Sequence, residues 1–400
     1  MRVIASVSSD ALEAVEPKDY PRHVFDALED PDLIWSKPFR ALEMKAQNLL
    51  IFLFFSGQFG TDIEKLRTQF SELHRNVSGF YGQPTSPSDF EDALKSLESG
   101  FLSISGQTVS FVNPSVRDFL KSYLVDREFL ALLPASVQRA ETAAAIWSHL
   151  KDVFKQHPDI LKNFVDAFLD FAMHIDATPS MKKEKTQTFW TYVHDDSSLS
   201  DRTDLLFQWW EASGNDAFLQ KAHAMLAENK LVLITWSDGQ SLPNLHWFVR
   251  NYVDDDHPLK SSLLSLISER LIEVVEGGAP VDELINIVES VQEHMDEEVP
   301  EGVDEALDRV VSYEFTDTSE AIGHLDSEQH LSEHMEQLDT LARLTGYDAE
   351  PAKGIVSERL AQFEEPDYGE YRVSVSRPSR QGEDRFEDDA ILSLFSNLVR

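Results

Sequence analysis

The stretch at residues 111–120, FVNPSVRDFL, decides the organisation of this chain because it ends a strand and begins a helix. Proline lacks an amide proton and biases its predecessor toward extended geometry, so the preceding β-type run should stop at Asn113. Pro114 suits the first helical position, and Asn113 can cap the helix, with Ser115 and Asp118 as a weaker capping box. The motif therefore predicts a junction between one domain and the helix that opens the next.

Before this junction, hydrophobic periodicity and turn residues predict three helices and a β-hairpin. Thr61 and Ser88 are the expected caps of the second and third helices, and Gly106 marks the hairpin turn. Three helices followed by a hairpin is the order of a winged-helix domain, which we place at residues 39–125. The helices are expected at 41–55, 61–75 and 89–99, and the strands at 101–105 and 108–112.

Beyond residue 125 almost every segment has helical periodicity. Prolines and glycines divide it at intervals that suit antiparallel helical pairs, but no fixed repeat length emerges. We therefore expect a mainly α fold, with an irregular solenoid-like α-helical array at 126–365. Residues 1–38 are predicted to be an N-terminal linker or helical segment with Trp35 as an aromatic anchor, and 366–400 to be a polar tail ending in an amphipathic helix. Array helices are expected, among others, at 182–193, 244–253 and 319–346.

The charge of the chain bounds its partners. The formal net charge is -36, and residues 251–350 hold 27 Asp and Glu against 4 Lys and Arg. Such a field repels phosphate backbones and anionic membranes. The third winged-helix helix, which would enter a DNA groove, is itself acidic, so we expect no nucleic-acid binding through it. Its charged residues are Asp89, Glu91, Asp92 and Glu98 against Lys95.

Several features that the sequence lacks indicate where the protein is located and whether it is an enzyme. There is no cysteine, which is typical of a reducing compartment, and the longest apolar run, at 49–55, is too short to cross a bilayer. We expect a cytoplasmic protein without membrane partners or cofactors. The chain has no Gly-Lys dipeptide for a Walker A loop and no Gly-x-Ser-x-Gly elbow, so an enzyme is not predicted.

One short motif could bind metal. His330, Glu333 and His334 spell H-x-x-E-H, the inverted zinc-peptidase pattern, in which two histidines bind zinc and the glutamate acts as base. The surrounding segment is polar and acidic, which is typical of a solvated helix face. We therefore expect a solvated helix there, and keep a zinc peptidase as an alternative.

Aromatic clusters recur along the array. Buried packing between helices is the expected role of each cluster, and contact with a protein partner is the alternative, because Trp and Tyr dominate interface hot spots. Phe395 in the terminal helix could likewise dock on the array or in the groove of a partner. The candidate partner-binding residues are Trp190, Trp209, Trp210, Trp247 and Phe395.

A family resemblance rests on the junction motif. Its Phe-x-x-Pro-Ser-x-x-Asp-Phe-Leu pattern, after a winged-helix-like order and before a long helical region, resembles the C-terminal half of STAND-class signal-transduction NTPases. The bacterial subfamily called novel STAND NTPase 3 is the most similar, over residues 20–125. The residues that carry the resemblance include Phe111, Asn113, Pro114, Ser115, Arg117, Asp118 and Phe119.

The resemblance implies a function. In that class a P-loop ATPase core precedes the winged helix, which supplies a histidine to the nucleotide, and helical repeats sense a trigger. Here Asn113 stands in place of that histidine, so Asn113, Ser115 and Arg117 are the nucleotide-sensing candidates, with Asn113 as a helix cap the alternative. No ATPase core is found in this sequence, so one would lie upstream or in a separate protein.

The resemblance therefore predicts a non-catalytic sensor of prokaryotic anti-phage defence that recognises a protein or other macromolecular trigger. A stand-alone helical scaffold for protein interactions is the alternative.

Overall fold

A computed structural model describes residues 31–364 except 99, 186–188, 229 and 296–298. Among these residues helices dominate and strands form two small sheets, so the predicted mainly α class is confirmed. A winged-helix-like unit comes first and an α-helical array follows it. The predicted terminal helix, including Phe395, lies outside the described residues.

Helix α1 (Pro31–Arg40) occupies part of the segment predicted to be a linker or helical segment, and Pro38 lies within it. The aromatic anchor is confirmed, because Trp35 and Phe39 are buried and the Trp35 indole donates a hydrogen bond to the Ser115 hydroxyl at 2.9 Å. Burial of these two rings, one turn apart, outweighs the roughly 3 kcal/mol that an internal proline costs a helix. The segment is therefore part of the folded unit rather than a linker.

The winged-helix-like unit has the predicted three helices and hairpin, and one short strand that was not predicted. Its strands form an antiparallel sheet in the order β1-β3-β2. Gly60 permits the approach of β1 to β3, because its φ is +108° and a Cβ there would lie 2.6 Å from the Val109 carbonyl oxygen. The elements are α2 (Met44–Phe54), β1 (Thr61–Asp62), α3 (Ile63–Phe80), α4 (Asp89–Leu97), β2 (Leu102–Ser105) and β3 (Thr108–Phe111).

The two predicted helix caps of this unit differ in the structure. Thr61 is in β1, and the cap of α3 is Asp62, whose carboxylate accepts from the amides of Glu64 at 2.9 Å and Lys65 at 3.1 Å. Pairing of Thr61 with β3 moves the helix start by one residue. Ser88 occupies the cap position of α4 but makes no side-chain capping bond.

The junction has the predicted form. Helix α5 (Pro114–Tyr123) begins at the proline, and the Asn113 side chain accepts from the Ser115 amide at 2.9 Å. Phe119 is buried in the core on the inner side of this helix, whereas Asp118 is exposed. The local signals at residues 111–120 were therefore sufficient to place both the strand end and the helix start.

The array is built of helices that pack on their near neighbours in the chain, as in a solenoid. Helix α12, for example, packs on α13 and α14, and α14 in turn packs on α17. The array elements are α6 (Arg127–Leu130), α7 (Ala140–Val153), α8 (Pro158–Ala167), α9 (Leu169–Met173), β4 (Met181–Lys185), β5 (Trp190–His194), α10 (Leu199–Ser213), α11 (Ala217–Glu228), α12 (Thr235–Tyr252), α13 (Lys260–Glu276), α14 (Val281–His294), α15 (Glu301–Thr316), α16 (Thr318–Ala321), α17 (Glu328–Thr345) and α18 (Glu350–Glu364).

Three array predictions were wrong in detail. The helix predicted at 182–193 is the hairpin β4–β5, because Thr191, Tyr192 and Val193 favour strand geometry. The helix predicted at 244–253 begins nine residues earlier, at Thr235, and contains Pro243. The helix predicted at 319–346 is broken by a 3₁₀ turn, and Ser327 caps its second part by accepting from the His330 amide at 3.1 Å.

Candidate functional site

The most exposed aromatic cluster of the array is on the hairpin β4–β5. In its antiparallel register Lys183 lies opposite Tyr192 and Lys185 lies opposite Trp190, and strand alternation brings all four side chains to one face. We call these four residues the hairpin face. Trp190 is 58% exposed and Tyr192 is 60% exposed. Burial of this cluster, the expected role, is therefore wrong for these two rings.

One lysine of the hairpin face lies over both aromatic rings. The Lys183 ammonium lies 5.5 Å from the Trp190 ring centroid and 5.9 Å from that of Tyr192, within cation–π range. Next to these rings, His194 lies 6.1 Å from the ring of Trp236, which is 53% exposed. Exposed aromatic surface flanked by charge is typical of a binding site for another molecule.

The base of the hairpin is tied to the winged-helix-like unit. Lys65 in α3 donates to the main-chain carbonyl of Asp195 at 2.6 Å and pairs with its carboxylate at 3.2 Å. Arg139 donates to the same carbonyl and lies 3.7 Å from the other carboxylate oxygen. Since Asp195 directly follows β5, these contacts attach the end of this strand to α3.

Asp196, the next residue, holds the start of α7. Its carboxylate accepts from the amides of Ala140 at 3.1 Å and Glu141 at 3.0 Å, and from the Thr178 hydroxyl at 2.6 Å. A carboxylate at a helix N-terminus is stabilised by the free amides and the helix dipole. Residues 195 and 196 therefore connect the hairpin to two other elements at once.

A fully buried ion pair supports this connection. The guanidinium of Arg202 lies 3.6 Å from the Asp196 carboxylate, and both side chains are inaccessible to solvent. Arg202 also donates to three main-chain carbonyls at 2.7 to 2.8 Å. Burial alone would raise the pKa of Asp196, but the Thr178 hydroxyl and the Arg202 charge hold it below its ordinary value. Burial lowers the pKa of Arg202.

The three nucleotide-sensing candidates have structural contacts. Asn113 is exposed and uses its side-chain oxygen to cap α5, while the Ser115 hydroxyl accepts from Trp35. The Arg117 guanidinium lies 5.0 Å from the Phe54 ring centroid, and burial lowers its pKa. The structure places Asn113 and Ser115 together at the junction, with the helix cap as the contact that Asn113 makes.

The H-x-x-E-H residues do not converge. His330 is exposed and lies 3.8 Å from Asp326, whereas His334 is buried and lies 3.8 Å from Glu314 in α15. Glu333 accepts a hydrogen bond from Gln329. In the part of the chain that the structure describes, no group of three or more His, Cys, Asp or Glu side chains is arranged to hold a metal ion.

The other aromatic candidates differ in exposure. Trp209 is fully buried and stacks on Phe168 at 4.8 Å between ring centroids, so it is a packing residue rather than a partner contact. Trp210 is half-buried and donates to Asp216 at 3.2 Å. Trp247 is 39% exposed. Of the array tryptophans that were candidates for partner contact, Trp190 is the one that best fits an exposed binding surface.

A chain of polar side chains inside the winged-helix-like unit resembles a catalytic triad only in composition. His74 lies 3.1 Å from Asp89 and 3.3 Å from the Ser78 hydroxyl, and Asn48 contacts the same imidazole nitrogen as Ser78 at 3.0 Å. Ser78 is inaccessible to solvent, so no substrate reaches it. The cluster joins α2, α3 and the start of α4, which is a structural role.

Several candidate functional residues were not predicted from the sequence. The alternation of Trp190, Tyr192 and His194 with Thr191 and Val193 was a period-two signal for a half-exposed strand, and it would have placed Lys183 and Lys185 beside the aromatic rings. Trp236, Lys65 and Asp195 had no local signal, because their contacts join distant parts of the chain.

In comparisons with known proteins, no protein-family model, curated protein or solved structure matches this chain. Among the described residues, no helix is long and apolar enough to cross a membrane.

Proposed function

We propose that the chain is a non-catalytic recognition and regulatory module, in which the hairpin face binds a macromolecular partner and the winged-helix-like unit responds. The observation that carries the proposal is the contact of Lys65 with Asp195. A partner bound at Trp190 and Tyr192 contacts β5 directly. This strand ends one residue before Asp195, which is the residue that Lys65 of α3 contacts. Recognition and response are thus joined by one short physical path.

The hairpin face supports a binding role through its chemistry. Exposed Trp and Tyr side chains supply large contact areas with little loss of side-chain entropy, and they dominate the energetics of protein interfaces. The two strands are also isolated from any larger sheet among the described residues, and a lone hairpin is only marginally stable in water. A bound partner would stabilise it.

The setting that we propose is a STAND-type signal-transduction protein of prokaryotic defence against phage. The order of winged-helix-like unit, junction and helical array supports this proposal, together with the junction motif at residues 111–120. The ATPase core would be supplied by another part of the protein or by a separate chain. The Asn113 side chain caps α5, so we assign the response to the Lys65–Asp195 contact and not to a nucleotide contact by Asn113.

Site-specific photo-crosslinking tests the proposal. A photoreactive phenylalanine analogue is placed at Trp190, and at Tyr313 as the control, since Tyr313 is an exposed aromatic residue on α15. We expect one protein of the source cell to crosslink at position 190 and not at 313. Excess unlabelled chain should compete for it, and the Trp190→Ala/Tyr192→Ala variant should not. Equal crosslinking at both positions, or ATP hydrolysis by the purified chain, would overturn the proposal.

A further inference from the structure

We propose that the segment recognised by the hairpin face is an acidic, extended stretch of a protein partner, which adds as a third strand to the free edge of β5. This inference rests on the proposed function, because it names the chemistry of the partner for the same surface. Two independent features of the hairpin carry it: the direction of the β5 backbone groups, and the charge beside the rings.

The backbone groups of Trp190 and Tyr192 point away from β4. The Asp195 amide donates to the Ser180 carbonyl at 2.8 Å, which marks that pair as hydrogen-bonded. Bonded and non-bonded pairs alternate along an antiparallel ladder, so the pairs of Trp190 and Tyr192 with β4 are non-bonded. Their amide and carbonyl groups therefore face the outer edge of β5, with which no other described strand pairs.

The two edges of the hairpin are not equivalent. Strand β4 reads MKKEK, and lysines along an edge discourage the addition of another strand. Strand β5 reads WTYVH, which contains no lysine or carboxylate and is rich in β-branched and aromatic residues. A partner strand is therefore expected on the β5 side, by the mode known as β-augmentation.

The charge of the hairpin face selects acidic side chains. Lys183 and Lys185 share the face of the rings, and within the described part of the chain no carboxylate pairs with either. Glu184 is on the opposite face, where it pairs with Lys182 at 2.6 Å. Strands lie about 4.8 Å apart, so a third strand lies about 10 Å from β4. Extended glutamate and lysine side chains together span that distance. A glutamate of the third strand can therefore pair with Lys183 or Lys185 across the rings of Trp190 and Tyr192.

The same observations disfavour single-stranded nucleic acid, which also stacks on aromatic platforms. A nucleic acid extends beyond the hairpin and would meet the field of a chain with a formal net charge of -36. Two lysines on one small face neutralise few phosphates. A short peptide strand contacts only the hairpin and gains main-chain hydrogen bonds that nucleic acid cannot make.

Binding of labelled probes to the full chain tests the inference. The probes are a fluorescein-labelled decapeptide alternating glutamate and valine, a decapeptide alternating lysine and valine, and a labelled oligothymidylate of ten nucleotides. Fluorescence anisotropy is read at low and at high salt. We expect the glutamate peptide to bind and the lysine peptide not to bind. The double change Lys183→Glu/Lys185→Glu should weaken the binding of the glutamate peptide at least tenfold.

A matched pair of variants separates edge addition from binding over the rings. Tyr192→Ala and Tyr192→Pro both remove the ring, but only proline removes the outward amide, and an edge strand tolerates it. We expect the proline variant to bind the glutamate peptide several-fold more weakly than the alanine variant. Equal affinities would overturn edge addition, and circular dichroism of both variants reports whether the fold is kept.

The remaining outcomes each decide the inference. Preferential binding of oligothymidylate, or binding of none of the three probes, would overturn the acidic-segment inference. If a partner nevertheless crosslinks at Trp190, the proposed function stands, but the inference that the partner segment is acidic and extended is wrong. Absence of both the crosslink and the peptide binding would count against the proposed function itself.

Discussion

Lys65 of the winged-helix-like unit and Asp195 at the end of the hairpin are 130 residues apart in sequence, yet the Lys65 ammonium lies 2.6 Å from the Asp195 carbonyl oxygen and 3.2 Å from its carboxylate. Both side chains are mostly buried. This contact makes the hairpin and α3 neighbours, and the proposed response of the winged-helix-like unit to binding at the hairpin face rests on it.

Removing the Lys65 ammonium should destabilise the protein. We expect Lys65→Met to lower the free energy of unfolding by about 1–2 kcal/mol, because Asp195 then keeps a partly buried charge with one partner fewer. Urea unfolding measures the change. Lys121→Met is the matched control, since the Lys121–Asp152 pair at 3.0 Å is exposed. It should cost less than about 0.5 kcal/mol. Equal effects of the two substitutions would show that the Lys65–Asp195 contact stabilises the protein no more than an exposed ion pair does.

The buried Arg202 side chain should be far more sensitive. We expect Arg202→Met to lower the free energy of unfolding by about 3–5 kcal/mol, because Asp196 would be left as an unpaired buried charge. Arg67→Met, which removes the half-exposed ion pair of Arg67 with Glu91 and its contact with the Phe90 ring, should cost clearly less than Arg202→Met. A loss at Arg202 no larger than that at Arg67 contradicts the structural role of the buried pair.

The pH dependence of Asp196 follows from its lowered pKa. Because the folded carboxyl has a pKa below the ordinary 3.8, it binds its proton more weakly than the unfolded chain does. Its contribution to stability is thus complete above pH about 4 and is lost as the pH falls through the folded pKa. The Arg202→Met variant removes the charge that favours the ionised carboxyl. Its loss of stability relative to the native chain should therefore be largest above pH about 4 and should shrink as the pH falls below it, as urea unfolding at both ends of this range measures.

Glu314 should act in the opposite direction. Burial raises its pKa to about 7 from 4.5, and burial lowers the pKa of the neighbouring His334. The folded state therefore holds a proton on Glu314 that the unfolded state releases, so stability falls as the pH rises from about 4.5 to 7. Between pH 5 and pH 8 we expect this group to cost on the order of 2 kcal/mol.

The substitution Glu314→Gln tests this sign. The variant should gain stability relative to the native chain at pH 8 and differ much less at pH 5, as measured by urea unfolding at both values. Glu305→Gln is the control, because Glu305 is exposed on the same helix. A variant whose difference from the native chain is the same at both pH values would show that Glu314 is ionised throughout.

The Asn113 cap can be tested by two substitutions at one position. We expect Asn113→Ala to lower the free energy of unfolding by about 1 kcal/mol, because the Ser115 amide loses its acceptor. Asn113→Asp keeps a side-chain oxygen there and should have little effect. If the aspartate variant is destabilised as much as the alanine variant, the side-chain oxygen is not the stabilising group.

Local sequence signals predicted the junction but not the site. Pro114 and Asn113 act within a few residues of themselves, so the strand end and the helix start could be read directly. The hairpin was misread because Lys182–Lys185 are good helix formers, whereas the decisive alternation lies in Trp190–His194. Strand pairing rather than local preference sets the structure there.

Contacts between distant residues were beyond the reach of sequence reasoning. Nothing near Lys65 indicates that its partner is Asp195, and nothing near Ala140 indicates that Asp196 caps its helix. Burial was equally hidden: Trp209 and Trp210 are adjacent, yet Trp209 is buried and Trp210 is half-exposed. Only the packing of the helices decides which ring reaches the surface.

Amide hydrogen exchange on the purified Lys65→Met variant tests the central claim most directly. If the hairpin and α3 are coupled through Asp195, exchange should become faster both in residues 63–80 and in the strands β4 and β5, while the helices α13 and α14 keep their native rates. Lys121→Met should leave the hairpin unchanged. Faster exchange confined to residues 63–80, with native rates in both hairpin strands, would contradict the coupling of recognition to the winged-helix-like unit.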